Sequence, residues 1–467
     1  MAMLVSSSSS SSSSSPHSLS FTRSLHNALS PFSITLTLTR SHSPKRAPPS
    51  FKATLITNSD SFQVGRSIGS YGFMNVTRST FPLLSSSIFC LLFCQNFTLS
   101  RSFFSYSAFP SALEGNKYSY ADFGAGLKTQ DVGEGSVKIR LYEGRVSQGP
   151  LRGTPVIFKV YPGKRAGGIE ADMMAANELN AHSFLQRNSK GIVQNLVLLV
   201  GGFETITGEQ WLAFRDDGKY SAADYAKFAS DRVSRDRASG ELSSWNRFEQ
   251  EQSIKRKQIF VIKLLQGAMR GLAYMHDNNR LHQSLGPFSV MLNTISEREG
   301  RYLIPRLRDL AFSVDVSYSE LEEDPRSLAD GLWRRATAAG AFTRMEKRAF
   351  AIADDIYEAG LLFAYMAFVP FCEAGAMDGL ALQVTYSPVF FLDHKIQRLL
   401  ENTFQLDLEA TREYCMEDDR LAKAVEFLDL GDGAGWELLQ AMLNADFRKR
   451  PIAQAVLNHR FMTGDVL

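Results

Sequence analysis

The sequence has few cysteines and almost no excess of charge. Its four cysteines, Cys90, Cys94, Cys372 and Cys415, are too few and too scattered in 467 residues for a disulfide framework or a zinc site. The formal net charge is +2, and five basic residues without any acidic one fall within residues 1–59. The rest of the chain therefore carries a small acidic excess, so charge gives no reason to expect nucleic acid as a partner.

The first 59 residues lack Asp and Glu altogether. Ten consecutive serines occupy residues 6–15, and a Ser- and Thr-rich composition with scattered Arg and Lys continues to Ser59. This composition is typical of an organellar transit peptide, and its preference for Ser over an Arg-rich amphipathic pattern favours the chloroplast. We predict a chloroplast transit peptide over residues 1–59. A disordered Ser-rich tail is the alternative.

Long apolar runs are scarce as well. The uncharged stretch 79–100 has the length of a membrane span and is flanked by Arg78 and Arg101, but Pro82 and several polar residues dilute it. Three interpretations stay open: a membrane anchor, part of a longer targeting signal, or an insert without a partner. We assign residues 60–115 to a linker that contains this marginal apolar span.

From residue 116 the composition becomes that of a globular protein. The first motif is a Gly-x-Gly pair, Gly133 and Gly135, whose backbone amides would allow close approach to a phosphate. Lys138 stands where a third glycine would complete such a loop, so the signal is weak. An ordinary hairpin turn is the alternative.

The next segment is a strand that presents a lysine. Residues 154–161 alternate between the two faces of a predicted strand and carry Lys159. The helix predicted over residues 169–186 offers an acidic partner, Glu178, for that lysine. Glu170 is a rival partner on the same helix, and the sequence does not decide between them.

Two more strands lead to a polar hinge. They are predicted over residues 196–203 and 209–215, and the acidic pair Asp216 and Asp217 follows them. Phe214 stands near the end of the last strand, where it would form either the back of a ligand pocket or plain core. A highly charged stretch, 232–257, is predicted to be a solvated helix-loop insertion.

The stretch 272–292 organises the second half of the chain. An apolar helical end runs into a turn, a loop led by His282 follows, and a short apolar strand closes the segment. This layout resembles the catalytic loop of a protein kinase, whose motif reads H-R-D-L-K-P-x-N. When the loop is aligned with this motif from His282, Ser284 falls at the position of the base aspartate. Gly286 falls at the position of the lysine, and Ser289 at that of the metal-binding asparagine.

Three further landmarks follow in the order that protein kinases show. Asp309 stands where kinases hold magnesium, with Leu310-Ala311 in place of Phe-Gly. Asp355 begins the pattern of a large buried helix and is expected to accept backbone N–H groups near the loop. Arg450 matches the arginine of a terminal motif, but the Ala-Pro-Glu that supplies its usual partner is missing.

Together these landmarks resemble the sequence motifs of the chloroplast thylakoid state-transition Ser/Thr kinase family. Shared segments include Trp211-Leu212, Asp309-Leu310, Asp355-Ile356-Tyr357 and the run from Gly433 to Leu439. The resemblance implies an α+β, two-lobed protein kinase fold. A small antiparallel β-sheet with one helix would form the N-lobe over residues 116–217, and a mostly helical C-lobe would cover residues 218–467.

The resemblance also implies a function, with one departure. Gly133, Gly135, Lys159, Glu178 and Phe214 would surround ATP, and Asp309 would hold Mg²⁺. The catalytic loop instead offers only His282, Ser284 and Ser289, without a base or a second metal ligand. We therefore expect a catalytically impaired pseudokinase that acts as an ATP-responsive regulator or scaffold, with ATP and Mg²⁺ binding weak or absent.

Two alternatives stand beside that expectation. One is an active Ser/Thr kinase that phosphorylates chloroplast proteins, and the other is an unrelated α+β domain in which the motifs are coincidental. Both kinase interpretations place the protein in the chloroplast stroma or on the stromal face of the thylakoid membrane. Its partner or substrate would be a chloroplast protein.

Overall fold

Residues 55–73, 137–189, 193–238, 247–317, 329–374, 396–397 and 399–464 are described by a computed structural model. They all belong to one unit of the chain, Ser50–Leu467. Gly133, Gly135, the apolar stretch 79–100 and residues 1–54 of the predicted transit peptide lie outside the described residues. In the described part, no helix has the length and apolarity needed to cross a membrane.

Five antiparallel strands form the main sheet. They are β1 (Phe62–Phe73), β2 (Val137–Val146), β3 (Pro155–Tyr161), β4 (Leu199–Glu204) and β5 (Gln210–Arg215), and they pair in the order β1-β2-β3-β5-β4. The alternation along β3 sends Val156, Phe158 and Val160 to the outer face of the sheet. Ile157 and Tyr161 face the other side, so Lys159 lies on that inner face as well.

Strand β1 corrects the predicted linker. Residues 62–73 fall within the range 60–115, yet they pair with β2 from Phe62 opposite Val146 to Phe73 opposite Val137. Glycines interrupt the alternation of apolar residues in this strand, and its register shifts twice, so the local pattern is too weak to reveal it. The sheet region therefore begins near residue 62, not at residue 116.

The residues before β1 cross the outer face of the sheet. The backbone of Ile56 pairs with β4, where its N–H donates to the carbonyl of Val200 and its own carbonyl accepts from Gly202. Six residues later, Phe62 packs on Phe158, with ring centroids 5.5 Å apart. The boundary predicted for the transit peptide at residue 59 therefore falls inside a folded segment, because composition does not mark where folding begins.

One long helix covers the inner face of the sheet. Helix α1 (Lys164–Asn188) has a buried stripe at the helical spacing, made of Ala171, Met174, Ala175, Glu178, Ala181, His182 and Leu185. Ala171, Met174 and Ala175 pack against the inner faces of β2 and β3, and Ala181 and Leu185 join the core of the helical region. Glu178 belongs to this stripe and therefore points at the sheet, whereas Glu170 lies on the exposed side of the helix.

The remainder of the described chain is mostly helical. Its helices are α2 (Ala222–Ala238), α3 (Arg247–Asp277), α4 (Asp330–Ala338), α5 (Arg344–Phe368), α6 (Leu408–Met416), α7 (Ala422–Leu428), α8 (Leu430–Met442), α9 (Ala453–Leu457) and α10 (Arg460–Thr463). Short strands connect them at β6 (Tyr220–Ser221), β7 (Arg280–Leu281), β8 (Val290–Leu292), β9 (Arg306–Leu307) and β10 (Val314–Asp315). The predicted combination of a small antiparallel sheet with a largely helical remainder is confirmed.

Helices α3 and α5 form the centre of this helical region. Helix α5 begins with a capping box, in which Thr343 and Glu346 satisfy each other's backbone N–H groups. Its buried face shares one apolar core with α3, and Phe363 contacts Phe461 near the end of the chain, with ring centroids 5.2 Å apart. This core fixes the loop between β7 and β8 against the start of β9, which sets the geometry of the site.

Candidate functional site

Lys159 and Glu178 form a buried ion pair between the sheet and helix α1. The Lys159 Nζ lies 2.7 Å from each carboxylate oxygen of Glu178, and the two residues are 7% and 0% exposed. The hydroxyl of Tyr161 donates to the same carboxylate. Since Glu170 lies exposed, the structure selects Glu178 as the partner that the sequence left open.

Asp309 joins this pair from the opposite side. Its Oδ1 accepts from Lys159 Nζ at 2.8 Å, and its Oδ2 lies 3.3 Å from Nε of the neighbouring Arg308. Asp309 has a left-handed backbone with φ 67°, which turns the carboxylate towards the lysine. Within this turn the positive φ falls on Asp309 and not on Ala311. Three residues that the sequence assigned to one site therefore meet.

The cluster is held because its charges are paired. Moving an ammonium or a carboxylate out of water costs several kcal/mol, and the cost is offset only where an opposite charge lies at hydrogen-bonding distance. Lys159, Glu178 and Asp309 meet this condition with contacts of 2.7–2.8 Å. Removing Lys159 would leave two carboxylates buried close together without the cation that they share.

His182 is a member of the site that the sequence did not reveal. It stands one helical turn after Glu178, is 1% exposed, and contacts Phe214 edge to face with ring centroids 5.0 Å apart. Burial, with the positive charge of Lys159 as the next cause, lowers the pKa of His182 to about 3. The ring is therefore neutral at physiological pH. Its only sequence signal is its place in the buried stripe of α1.

Asp355 fixes the loop that enters the site. Its carboxylate accepts the backbone N–H groups of His282 at 2.7 Å and Gln283 at 2.9 Å, the side-chain amide of Gln283 at 3.0 Å, and a bond from His276 at 2.9 Å. This confirms the structural role expected for Asp355. Burial opposes ionisation, but the bonds from His276 and His282 outweigh it and lower the pKa of the Asp355 carboxyl.

His282 and Ser284 contact the backbone at Asp309. Nε2 of His282 lies 3.0 Å from the carbonyl of Arg308, and Nδ1 accepts the N–H of Ser284 at 3.3 Å. These two contacts assign the proton of the neutral ring to Nε2. The hydroxyl of Ser284 donates to the carbonyl of Asp309 at 2.9 Å. Ser284 thus reaches the site, but as a hydrogen-bond donor to the chain.

Ser289 is bound to its own loop. Its hydroxyl donates to the carbonyl of Gly286 at 2.8 Å and accepts the N–H of Gly286 at 2.9 Å. Both contacts close the turn between His282 and strand β8. The hydroxyl of Ser289 is therefore committed to the loop backbone.

The residues at the two expected magnesium positions do not suit the ion. Mg²⁺ prefers an octahedral shell of oxygens and is usually held by one or two carboxylates together with phosphates. Asp309 faces two cationic groups, and Ser289, at the second expected position, has a hydroxyl that is already bonded to the loop backbone. Within the described ranges, no group of three or more His, Cys, Asp or Glu side chains could hold a metal.

A cavity lies between the inner face of the sheet and the loop. Its apolar lining consists of Leu141, Ile157, Val197, Phe214 and Met291, and its charged lining consists of Lys159, Glu178, Arg215, Arg308 and Asp309. Phe214 is thus a buried core residue that also borders the cavity. The two predicted glycines, Gly133 and Gly135, lie outside the described residues.

Arg450 donates hydrogen bonds to backbone carbonyls near the end of the chain and in α5. Its guanidinium donates to the carbonyls of Asn444 at 2.7 Å and Ala353 at 3.1 Å, and it lies 4.6 Å from the ring centroid of Tyr357. Carbonyl oxygens and an aromatic face are adequate partners for a guanidinium. Arg450 thus ties the last helices to α5.

Comparison of the chain with models of known protein families gave no match, and comparison with curated proteins gave none either.

Proposed function

We propose that the chain has the two-lobed fold of a protein kinase and acts in the chloroplast as a kinase-like regulator or scaffold without phosphotransferase activity. The support for the fold is the order of its parts. A five-stranded antiparallel sheet with one helix is followed by a helical region, and a strand lysine pairs with a helix glutamate, as kinases require. Asp309 and Asp355 then take the positions of the metal-binding and loop-fixing aspartates.

One observation supports most directly the proposal that the protein lacks phosphotransferase activity. Ser284 stands in the place of the catalytic base, and its hydroxyl donates a hydrogen bond to the carbonyl of Asp309. A neutral hydroxyl is far too weak a base to accept the proton of a substrate alcohol at neutral pH. Positioned acid-base groups contribute about 10²- to 10⁴-fold to rate, or roughly 3–5 kcal/mol of barrier.

Two further changes act in the same direction. Gly286 replaces a lysine whose charge would stabilise the transferring phosphoryl group, and Ser289 replaces a metal ligand. Since Ser289 is bonded to the loop backbone, a small rotation would not restore the missing ligand. The loop therefore lacks the catalytic base at Ser284, the cationic side chain at Gly286 and the metal ligand at Ser289.

A weakly active Ser/Thr kinase is the second candidate, and the intact ion pair favours it. Lys159 and Glu178 are already joined, and Asp309 contacts the same lysine. In active kinases this arrangement orients the nucleotide. Under this alternative, positioning alone would support slow transfer to chloroplast proteins.

The location follows from the composition of the N-terminal segment. Residues 1–59 are Ser-rich and lack acidic residues, which is typical of a chloroplast transit peptide. The partner would then be a stromal protein or one on the stromal face of the thylakoid membrane. A kinase-like scaffold would act by holding that partner.

Phosphoryl transfer separates the two candidates. The full chain and a Lys159→Ala variant would be incubated with radiolabelled ATP, magnesium, and either casein or a chloroplast protein extract that has been heat-treated to remove endogenous kinases. We expect the same background labelling from both proteins. Labelling by the wild type that the Lys159→Ala variant lacks would overturn the scaffold and favour the kinase.

A further inference from the structure

The charged residues around the cavity leave no excess of negative charge for a metal ion. Lys159 and Arg308 balance Glu178 and Asp309, and Arg215 is paired with Asp217 at 2.6 Å. A divalent cation alone would therefore add positive charge without compensation in a place where little water screens it.

Arg308 competes directly with a metal ion. Its Nε lies 3.3 Å from Oδ2 of Asp309, while Lys159 Nζ lies 2.8 Å from Oδ1 of the same carboxylate. Each oxygen that a metal would need therefore already faces a cation. Arg308 is held in this position because its Nε also donates to the carbonyl of Phe288 at 3.1 Å.

The two terminal nitrogens of Arg308 remain available for a ligand. Across the described ranges, neither Nη1 nor Nη2 donates a hydrogen bond, although the side chain is only 15% exposed and borders the cavity. A guanidinium presents its donors in a planar fork that matches phosphate oxygens. The fork of Arg308 and the ammonium of Lys159 flank Asp309, so one polyphosphate can reach both.

We propose that the cavity takes a nucleoside di- or triphosphate without a divalent metal, with Lys159 and Arg308 neutralising the phosphates. The nucleobase would lie against the apolar lining residues Ile157, Phe214 and Met291. This inference rests on the proposed kinase-like fold for the place of the nucleotide. It adds that Arg308 neutralises the phosphates, which a metal ion does in an active kinase.

Titration calorimetry of the full chain with ATP and with ADP tests this inference, in buffer with EDTA and in buffer with magnesium. We expect binding in EDTA that magnesium does not strengthen. Replacing Arg308 with Met should weaken binding in EDTA by roughly ten- to a hundredfold, the loss typical of a charged hydrogen bond. Arg308→Lys should recover part of it.

Two matched variants sharpen the result. Asp309→Asn removes a carboxylate that repels phosphate, so binding in EDTA should be unchanged or tighter, whereas a metal-dependent site would lose affinity. Arg412→Met removes an arginine that pairs with Asp429 on the surface and should change nothing. Circular dichroism of each variant shows whether it has folded.

The outcomes separate this inference from the proposed function. Binding that requires magnesium, or binding that Asp309→Asn abolishes and Arg308→Met leaves intact, would overturn metal-free recognition. No binding in either buffer would also overturn it, but would leave a scaffold without phosphotransferase activity standing. Lys159-dependent phosphoryl transfer would overturn the scaffold whatever the metal requirement of binding.

Discussion

Replacing His182 with Met should reduce the pH dependence of stability. The ring is buried between Glu178 and Phe214, and its pKa is about 3 in the folded chain against 6.5 for an ordinary histidine. A lowered folded-state pKa means that the unfolded chain binds the proton first as pH falls. Stability from the neutral ring is therefore fully present above pH 6.5 and is lost as the solution becomes more acidic.

The size of the effect follows from the two pKa values. Between pH 7.5 and pH 5.5, His182 alone should lower the free energy of unfolding by about 1.4 kcal/mol. Burial also lowers the pKa of His282, so the wild type carries a further loss in the same direction, but that loss is common to both proteins. The difference between wild type and variant isolates His182.

Urea denaturation at pH 7.5, 6.5 and 5.5 measures this difference. Met is unbranched and fills a buried space of similar length, so the two proteins should have similar stability at pH 7.5. At pH 5.5 the variant should be more stable than the wild type by about 1.4 kcal/mol relative to that baseline. Parallel curves for the two proteins would show that His182 is not a buried neutral ring.

Two other perturbations test the fold. Asp355→Asn removes the charged acceptor of His276, His282 and Gln283 and should cost about 3 kcal/mol in chemical denaturation. Asp418→Asn removes a half-buried carboxylate that pairs with Arg420 two residues away, and it should cost under about 1 kcal/mol. Gly201→Ala would push a methyl group into the carbonyl of Ile56 and should lower the free energy of unfolding by about 2 kcal/mol. Deleting residues 1–61 removes the same contact and should have the same cost. As a control, the methyl group of Gly286→Ala meets no atom within 4 Å, so this variant should be as stable as the wild type. A protein with both Gly201→Ala and the deletion should be no less stable than the deletion alone. If the two losses of stability add instead, the contact between Ile56 and β4 is contradicted.

The charged cluster is the part of the site that the sequence predicts well. Lys159 follows from the alternation of β3, which is a local pattern, and Glu178 is one of two acidic residues on the next predicted helix. Asp309 and Asp355 follow from their positions relative to the loop. Only the choice between Glu178 and Glu170 needed the structure.

The contacts that the sequence hides are those between distant segments. Strand β1 pairs with β2 across 63 intervening residues, and no local pattern encodes such a pairing when glycines interrupt the strand. Ile56 lies in a segment whose composition resembles a leader. The place of Arg308 against Asp309 depends on the turn at Asp309, and the carbonyl partners of Arg450 depend on how the last helices pack against α5.

The most direct measurement of the central claim is the initial rate of phosphate release or transfer from ATP by the wild-type chain, compared with two variants. One carries Lys159→Ala, and the other combines Ser284→Asp, Gly286→Lys and Ser289→Asn to rebuild the loop. The proposed function predicts a wild-type rate no higher than that of Lys159→Ala, because it puts Ser284, whose hydroxyl is a poor proton acceptor, at the place of the catalytic base. A wild-type rate well above that of Lys159→Ala would contradict the account.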